Sequence, residues 1–254
     1  MLHLVREEGG MSFKLERISA TNLGAMSAED FCPRCFWLKA RLNFKSPWSL
    51  FPRIFNDLDG HQKAFTELYL RDMKVLPPWL AEFEVTEVIP VPGYGKFFAR
   101  HPLGIDISGV TDHMFRMVSG KNLVLDYKTS RPGSDKMFPI YKTQLSVYSW
   151  ISPRFALGEV GQLALVYYEP MTLLNDWRDG ATPGVTAPAE GLRLNFRPYI
   201  MKIDAIDIDP LVARAKEIAE GDMPAPYGRD AYTCTECQRI LDWMAGVGGA
   251  QKDA

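Results

Sequence analysis

The pattern of apolar and polar positions predicts an alternation of helices and strands along the chain. Apolar residues at helical spacing predict helices over residues 27–41, 53–73, 139–151 and 209–221, with Ser27 capping the first and Gly60 interrupting the second. Alternating or continuous apolar runs predict strands over residues 83–91, 104–117, 122–128, 162–170 and 192–204. Residues 170–191 are rich in Gly, Pro, Asp and Thr, which predicts a surface loop. This order of elements indicates a mixed α/β domain.

Two of the predicted strands bring charged residues together. The segment GVTDHMFRMVSGKNLVLDYKTS covers positions 109–130 and is predicted to form two strands joined by a short polar turn. Folding about that turn places Asp112, Asp126 and Lys128 at nearly the same level. Asp126 and Lys128 are two positions apart, so their side chains share one face of the strand, while Tyr127 points to the other. Two carboxylates beside a lysine suit a hydrolase that uses Mg²⁺ or Mn²⁺, because these ions prefer oxygen ligands.

An Asp-x-Lys pair at the end of a strand is more often a solvated ion pair than a catalytic site. Three features favour the catalytic interpretation here. Asp126 follows Leu-Val-Leu, an apolar run that predicts a buried central strand, and Asp112 follows Gly109 at a distance compatible with a hairpin. The next predicted helix carries Gln144 and Tyr148 four positions apart, and therefore on one face.

The ordered set Gly-x-x-Asp, Asp-Tyr-Lys-Thr and Gln-x-x-x-Tyr resembles the PD-(D/E)XK nuclease superfamily. Within it, the chain looks like the RecB-like branch, which includes CRISPR-adaptation iron–sulfur nucleases and helicase-associated nucleases. The resemblance implies a restriction-endonuclease-like core, with a mixed central sheet flanked by helices. It implies Mg²⁺ or Mn²⁺ binding by Asp112, Asp126 and the carbonyl of Tyr127. It further implies that Lys128 assists the nucleophilic water, and that Gln144 and Tyr148 position the site or contact DNA.

The same family often draws a histidine metal ligand from an earlier helix, and His61 is the candidate for this role. An exposed helix histidine is an equally open interpretation, because Gly60 directly precedes His61 whereas the family places a glycine several residues earlier. Three acidic residues of the same predicted helix are alternative ligands: Asp57, Asp59 and Glu67. Two other histidines are weaker candidates: His101, and His113, whose side chain is expected to point away from Asp112.

All four cysteines of the chain fall in two Cys-x-x-Cys pairs, Cys32 with Cys35 and Cys234 with Cys237. The identical spacing predicts metal ligands more strongly than buried free thiols, and each pair supplies only two ligands, so the pairs are expected to meet in one centre. Four thiolates suit structural Zn²⁺ or an iron–sulfur cluster, and spacing alone does not separate the two. The nuclease resemblance favours a 4Fe–4S cluster, although its members carry three C-terminal cysteines where this chain has two.

Composition adds little to this picture. The chain is 46% hydrophobic and 24% charged, and no apolar run is long enough to predict a membrane span. The N-terminal residues lack the long apolar segment of a signal peptide, so we expect a cytoplasmic, reducing location in which metal binding is favoured over disulfides. A net charge of −2 weighs slightly against a nucleic-acid partner, but a local basic groove can lie within a neutral total.

Basic residues near the motifs are candidates for DNA contacts. The segment that follows the Asp-Tyr-Lys motif contributes Arg131, Lys136 and Lys142. A second basic stretch mixes Arg34, Lys39, Arg41 and Lys45 with Phe36, Trp37, Phe44 and Trp48. Such a mixture suits single-stranded DNA. For residues 34–45 an amphipathic helix with its aromatic side chains in the core is the favoured interpretation.

These observations predict a metal-dependent DNA nuclease acting in DNA repair, recombination, phage or CRISPR-associated processing, on DNA that is single-stranded or has free ends. The alternative is a catalytically silent nucleic-acid-binding or scaffolding module with the same fold. The predicted organisation is a leader over residues 1–18, a nuclease domain over 19–245 and a disordered tail over 246–254. Within the domain, a helical part covers 19–80, the core 81–220 and the cysteine segment 221–245.

Overall fold

The computed structural model describes residues 13–44, 53–73, 75–93, 95–129, 137–170, 196–225 and 234–246. The α-helices within these ranges are α1 Ala20–Ala25, α2 Pro33–Arg41, α3 Arg53–Leu68, α4 Phe138–Arg154, α5 Asp209–Glu220 and α6 Thr235–Met244. Helix α3 continues into a π-helical turn at Tyr69–Met73, and a 3₁₀ helix covers Pro78–Phe83. The strands are β1 Arg17–Ser19, β2 Val85–Val88, β3 Phe98–Arg100, β4 Asp106–Ser108, β5 His113–Met117, β6 Asn122–Lys128, β7 Val160–Pro170 and β8 Phe196–Ile203.

The strands form two sheets. The larger sheet has the order β2-β5-β6-β7-β8, and the smaller has the order β1-β4-β3. In the larger sheet β6 and β7 run parallel, while the other neighbours are antiparallel. A parallel pair needs a crossover connection, and α4 provides it between β6 and β7. Strand β6 therefore lies at the centre of a mixed sheet, as its apolar sequence predicts.

The two faces of the larger sheet are buried against different elements. One face shares a hydrophobic cluster with α4, and its members include Met114, Val124, Leu145, Leu163 and Leu165. The opposite face shares a cluster with the 3₁₀ helix, and its members include Leu80, Phe83, Phe115, Leu125 and Val166. Because successive strand residues alternate between these faces, each position of β6 is committed to one cluster or the other.

Most predicted elements form, but several of their boundaries differ. The first predicted helix begins at Pro33 instead of residue 27, because the residue before a proline disfavours helical dihedrals and Cys32 is extended. Ser27 therefore caps no helix; its hydroxyl hydrogen-bonds the Thr143 hydroxyl at 2.7 Å. The strand predicted over 104–117 is two strands, β4 and β5, which belong to different sheets. Gly60 does not interrupt α3.

Residues 13–18, the part of the predicted leader that the structure describes, pack against the rest of the domain. Leu15 and Ile18 are buried in the core cluster, and β1 pairs in parallel with β4, so residues 13–18 belong to the domain. Residues 1–12 and 247–254, like most of the predicted loop over 170–191, lie outside the described residues. In the described part of the chain, no helix is long and apolar enough to cross a membrane.

Candidate functional site

Strand β6 presents the central charged pair on the face that α4 covers. Asp126 is buried, with 6% of its surface exposed, and its carboxylate Oδ2 forms an ion pair with the Lys128 ammonium. Tyr127 lies on the opposite face, where its ring contacts Trp79 and Tyr168. The Lys128 ammonium also lies 4.3 Å from the ring centre of Tyr141 on α4. The predicted division of these three residues between two faces is confirmed.

Asp112 lies directly before β5 and meets β6 at the level of the charged pair. The register pairs His113 with Leu125, so the next position places Asp112 opposite Asp126. The backbone N–H of Tyr127 donates a 2.7 Å hydrogen bond to Asp112 Oδ2. In an extended strand, the N–H and C=O of one residue point towards the same neighbouring strand, so the Tyr127 carbonyl faces the Asp112 side as well. Two carboxylates and one peptide carbonyl therefore lie together at this edge.

Burial sets the electrostatics of this pair of carboxylates. Burial raises the pKa of Asp126 to about 6, the Lys128 ammonium partly offsets this effect, and the Asp112 charge adds to it. Burial lowers the pKa of Lys128, but the ion pair with Asp126 and the charge of Asp112 together outweigh burial, so the net shift is upward. An additional cation at this place would stabilise both carboxylates in their charged forms.

Helix α3 contributes a residue to the site that the sequence analysis did not single out. The Lys63 ammonium lies 2.7 Å from Asp112 Oδ1 and 2.7 Å from Asp59 Oδ2, one turn earlier on α3. Burial lowers the pKa of Lys63, but the two carboxylates outweigh burial and the net shift is upward. An Asp–Lys pair four residues apart on a helix is common, so the sequence offered only a weak signal.

The structure does not bring His61 to Asp112. The His61 side chain is exposed and lines an apolar pocket of about 520 Å³ together with Phe65, Trp79 and Tyr168. Two residues of helix turn the chain by about 200°, so Lys63 faces Asp112 while His61 points elsewhere. Of these two residues it is Lys63, and not His61, whose side chain contacts Asp112. The pocket lies on the Tyr127 face of β6, opposite Asp126 and Lys128, where the rings of Trp79 and Tyr168 contact the Tyr127 ring.

Gln144 and Tyr148 are both buried on α4, on the face that packs against α1 and the segment before Asp112. A Cβ at Gly109 would overlap the Tyr148 ring, and a Cβ at Gly24 would lie 2.8 Å from the Ile140 carbonyl oxygen and 3.2 Å from Gln144 Cγ. Burial, followed by the charges of Asp126 and Asp112, raises the pKa of Tyr148 well above its usual value. Gly109 therefore permits the close approach of Tyr148 beside the two carboxylates.

Within the described ranges, the two other histidines do not contact Asp112 or Asp126. His113 is buried on the Tyr127 face, where its ring stacks on Phe115 at 5.5 Å, as its strand position predicts. His101 stacks on Trp150 and pairs with Asp209 at 3.1 Å. Of the alternative acidic residues on α3, Asp59 reaches the site only through Lys63.

The two Cys-x-x-Cys pairs meet, as predicted, although they lie at opposite ends of the domain. Their four Sγ atoms all lie within 4.8 Å of one another; the hydrogen-bonding distances are 3.4 Å for Cys32 to Cys237, 3.3 Å for Cys35 to Cys234 and 3.1 Å for Cys35 to Cys237. Burial and the neighbouring thiols raise the pKa of Cys35 far above its usual value. A metal cation bound among the four sulfurs would favour the thiolate form and offset this rise in pKa. The arrangement can hold a metal ion.

The cysteine cluster joins α2 to α6 across the N- and C-terminal segments. Leu38 and Ile240 are buried beside the thiols, and Lys39 pairs with Glu236 at 3.2 Å. The Trp37 indole N–H donates to the Gly221 carbonyl at 2.9 Å, immediately after α5. These contacts hold α2 against the C-terminal part of the domain.

The basic candidates divide into two groups. On α2, Arg34 donates to the Pro224 carbonyl and Arg41 to the Ala219 carbonyl, so both guanidinium groups are used in packing α2 against the C-terminal part. Phe36 is buried, in agreement with the amphipathic interpretation. Among the residues predicted to contact DNA, Lys142 is half-buried on α4. The other candidates, Arg131, Lys136, Lys45 and Trp48, lie outside the described residues.

Comparison with known proteins adds no identification. No family model matches the chain, and no curated protein matches it. A solved structure described as "Crystal structure of SSO0001" is 21% identical, covers 84% of this chain and 77% of its own, and superimposes with a TM-score of 0.38. A likeness of this size identifies neither a fold family nor a function, so the nuclease resemblance rests on the motif residues themselves.

Proposed function

We propose that this protein is a RecB-like nuclease that hydrolyses DNA phosphodiester bonds with Mg²⁺ or Mn²⁺. The observation that carries the proposal is the juxtaposition of Asp112 and Asp126 across β5 and β6, joined by the hydrogen bond from Tyr127 N–H to Asp112. Buried like charges raise each other's free energy, so a fold brings them together at a cost. A divalent cation bound between them offsets that cost.

The donor set fits such an ion. Asp112, Asp126 and the Tyr127 carbonyl are hard oxygen donors, which Mg²⁺ and Mn²⁺ prefer over nitrogen or sulfur. When bound, the ion would lower the pKa of an attacking water and polarise the phosphate. The chain supplies the remaining functions. The Lys128 ammonium, held by Asp126 and resting on the Tyr141 ring, is placed to stabilise negative charge developing on the phosphate.

The apolar pocket beyond Tyr127 supports a single-stranded or frayed substrate. Its aromatic lining of Phe65, Tyr69, Trp79 and Tyr168 suits stacking of an unpaired base, and its volume of about 520 Å³ exceeds that of one base. The pocket lies on the Tyr127 face of the sheet, and helix α3 links it to the carboxylates, because His61 lines the pocket and Lys63 contacts Asp112. In the proposed complex, a base near the cleaved bond occupies the pocket.

For the cysteine centre, the distances support a single Zn²⁺ over the 4Fe–4S cluster that the resemblance favours. A tetrahedral site with Zn–S bonds of about 2.3 Å has sulfur–sulfur distances of about 3.8 Å. The closest Sγ pairs here lie 3.1 to 3.4 Å apart, and all lie within 4.8 Å. A 4Fe–4S cluster places four irons and four sulfides between the thiolates, so it needs a wider separation. The role of the ion is structural, because four thiolates leave no open coordination position.

One observation favours the silent module as a second candidate. Each carboxylate already has a lysine counter-ion, Lys63 at Asp112 and Lys128 at Asp126, so the pair is partly neutralised within the chain. A cleavage assay separates the two functions. Full-length protein is incubated with 5′- and 3′-labelled single strands, duplexes and circular plasmid, with Mn²⁺, with Mg²⁺ and with neither. Cleavage that depends on the ion and is lost in Asp126→Asn supports the nuclease; binding without cleavage under all conditions supports the silent module.

A further inference from the structure

Helix α3 delivers a cation, and not a ligand, to the candidate metal site. The Lys63 ammonium lies 2.7 Å from Asp112 Oδ1, while the Tyr127 N–H occupies Asp112 Oδ2 at 2.7 Å. A protonated lysine has no lone pair, so it cannot bind a metal ion. It is also a positive charge at the same carboxylate that a divalent ion would use, and two cations at one carboxylate repel each other.

Lys63 has a second carboxylate within reach. Asp59 Oδ2 lies 2.7 Å from the same ammonium, and the two residues are one helical turn apart on α3. Asp59 is more exposed than Asp112, with 44% against 12% of the side chain accessible, so the two carboxylates offer Lys63 a solvated partner and a buried one. The ammonium can therefore leave Asp112 without losing its ion pair with Asp59.

We propose that Lys63 is a positioning residue at the metal site: it holds Asp112 in place when no divalent ion is bound and remains on Asp59 when an ion binds Asp112. This inference rests on the proposed function, because it takes Asp112 and Asp126 as metal ligands. It reverses the role expected for this helix, since α3 then weakens divalent-ion binding instead of strengthening it. Ordinary surface pairing does not explain the geometry, because the ammonium also contacts the largely buried Asp112.

Mn²⁺ titration of the full-length protein, followed by calorimetry and by the electron paramagnetic resonance of free Mn²⁺, tests the proposal. Lys63→Met removes the competing charge and should lower the Mn²⁺ Kd roughly tenfold, as expected for loss of one unit charge a few ångström from a divalent ion in a solvated site. Lys63→Arg keeps the charge and should leave the Kd within about twofold of wild type. Asp59→Asn leaves Lys63 with Asp112 alone and should raise the Kd.

The matched control is Lys216→Met on α5. Lys216 forms the same type of pair, with Glu220 four residues later at 2.8 Å, and is equally exposed. Its removal should leave the Mn²⁺ Kd unchanged. If wild type binds Mn²⁺ and Lys63→Met binds it equally or more weakly, the proposal is overturned. If Asp59→Asn binds Mn²⁺ more tightly than wild type, the proposal is overturned as well.

The same experiment distinguishes this proposal from the function on which it rests. Wild-type protein that binds Mn²⁺ but cleaves no DNA overturns the nuclease, and the opposite responses of Lys63→Met and Asp59→Asn then still support Lys63 as a counter-ion. Wild-type protein that binds no Mn²⁺ at its carboxylates overturns both. Circular dichroism of each variant establishes that it is folded, and the exposed Asp59→Asn keeps the test available should Lys63→Met fail to fold.

Discussion

The backbone N–H of Tyr127 donates its hydrogen bond to the side chain of Asp112, 2.7 Å away on the neighbouring segment. This bond continues the ladder between β5 and β6 by one step, using a side-chain oxygen beyond the last strand pair. It fixes Asp112 beside the residue that follows Asp126, so the two carboxylates cannot separate without breaking the end of the ladder. The metal site we propose therefore lies where the neighbouring strands β5 and β6 meet, at the C-terminal end of β6, and its carboxylates are held by the sheet.

Replacing either carboxylate by its amide should abolish metal-dependent cleavage. Asp112→Asn keeps the oxygen that accepts from Tyr127 N–H but removes the negative charge. Asp126→Asn likewise removes the negative charge beside Lys128. We expect each to reduce the cleavage rate about 100-fold or more, since a bound metal ion stabilises the transition state by several kcal/mol. Rates measured with Mg²⁺ on labelled DNA provide the test. Asp106→Asn is the control, because Asp106 pairs with Arg100 outside the site; near wild-type rates in either site variant would refute the assignment.

The raised pKa of Asp126 makes the stability of the metal-free protein depend on pH. Its pKa is about 6 in the folded state, raised first by burial, and about 4 in an unfolded chain. Between these values the folded state retains a proton that the unfolded state has lost. Asp126 thus contributes a stability that is present below about pH 4 and is lost as the pH rises to about 6.

Comparison with Asp126→Asn isolates this contribution from other titrating groups, including His113, whose pKa burial lowers. The Tm of wild type minus the Tm of the variant should decrease between about pH 4.5 and pH 7, in protein dialysed free of Mg²⁺ and Mn²⁺. Added Mn²⁺ should reduce the decrease, because the ion stabilises the charged carboxylate. If the Tm difference stays constant or increases with pH, the pKa of Asp126 is not raised in the folded protein.

Gly109→Ala should disturb the site through Tyr148. The added methyl group would overlap the Tyr148 ring beside Asp112, and overpacking of this kind costs about 1–3 kcal/mol. The matched control is Gly60→Ala, since nothing lies within 4 Å of a Cβ at Gly60 in the interior of α3. That variant should gain up to about 1 kcal/mol from helix propensity. Urea unfolding measures both; equal stability of the two variants would contradict the packing described.

Cys237→Ser should release the structural metal and loosen both ends of the domain. Metal analysis of wild-type protein purified without oxygen should give one zinc per chain with no stoichiometric iron or sulfide. The variant should lose that zinc and more than about 5 °C in Tm. Glu236→Gln is the control, since it removes only the partly exposed pair with Lys39 and should cost less than about 1 kcal/mol. A content of four irons and four sulfides per chain would refute the zinc assignment and show that the cysteines hold a 4Fe–4S cluster.

The aromatic pocket predicts a contribution to the affinity for single-stranded DNA that is separate from the rate of cleavage. Trp79→Leu should weaken binding of single-stranded DNA by about 1–3 kcal/mol, the usual contribution of one stacked base. Trp150→Leu is the control, because Trp150 stacks on His101 away from the pocket. Fluorescence anisotropy with a labelled oligonucleotide, in Ca²⁺ to prevent cleavage, gives the Kd values. Unchanged binding by Trp79→Leu would remove the pocket from the proposed DNA path.

Local sequence pattern was sufficient for the centre of the candidate site. The apolar run before Asp126 is long enough to specify a buried strand, and strand periodicity then places Lys128 beside it and Tyr127 opposite. A short polar turn sets the register that brings Asp112 to the same level. The spacing of the four cysteines also predicted that the two Cys-x-x-Cys pairs meet, because neither pair completes a metal site alone.

Other features depended on contacts that no local pattern contains. Lys63 is one of many lysines with an acidic residue four positions earlier, and only the packing of α3 beside β6 gives it Asp112 as a second partner. The same packing directs the His61 side chain towards the aromatic pocket. This orientation depends on the rotation of α3 about its axis, which the sequence around His61 does not reveal. Sequence determined which residues can carry charge or bind a metal, since that is a property of their chemistry. The tertiary structure decided which of these charges face each other, since that depends on how separate elements pack.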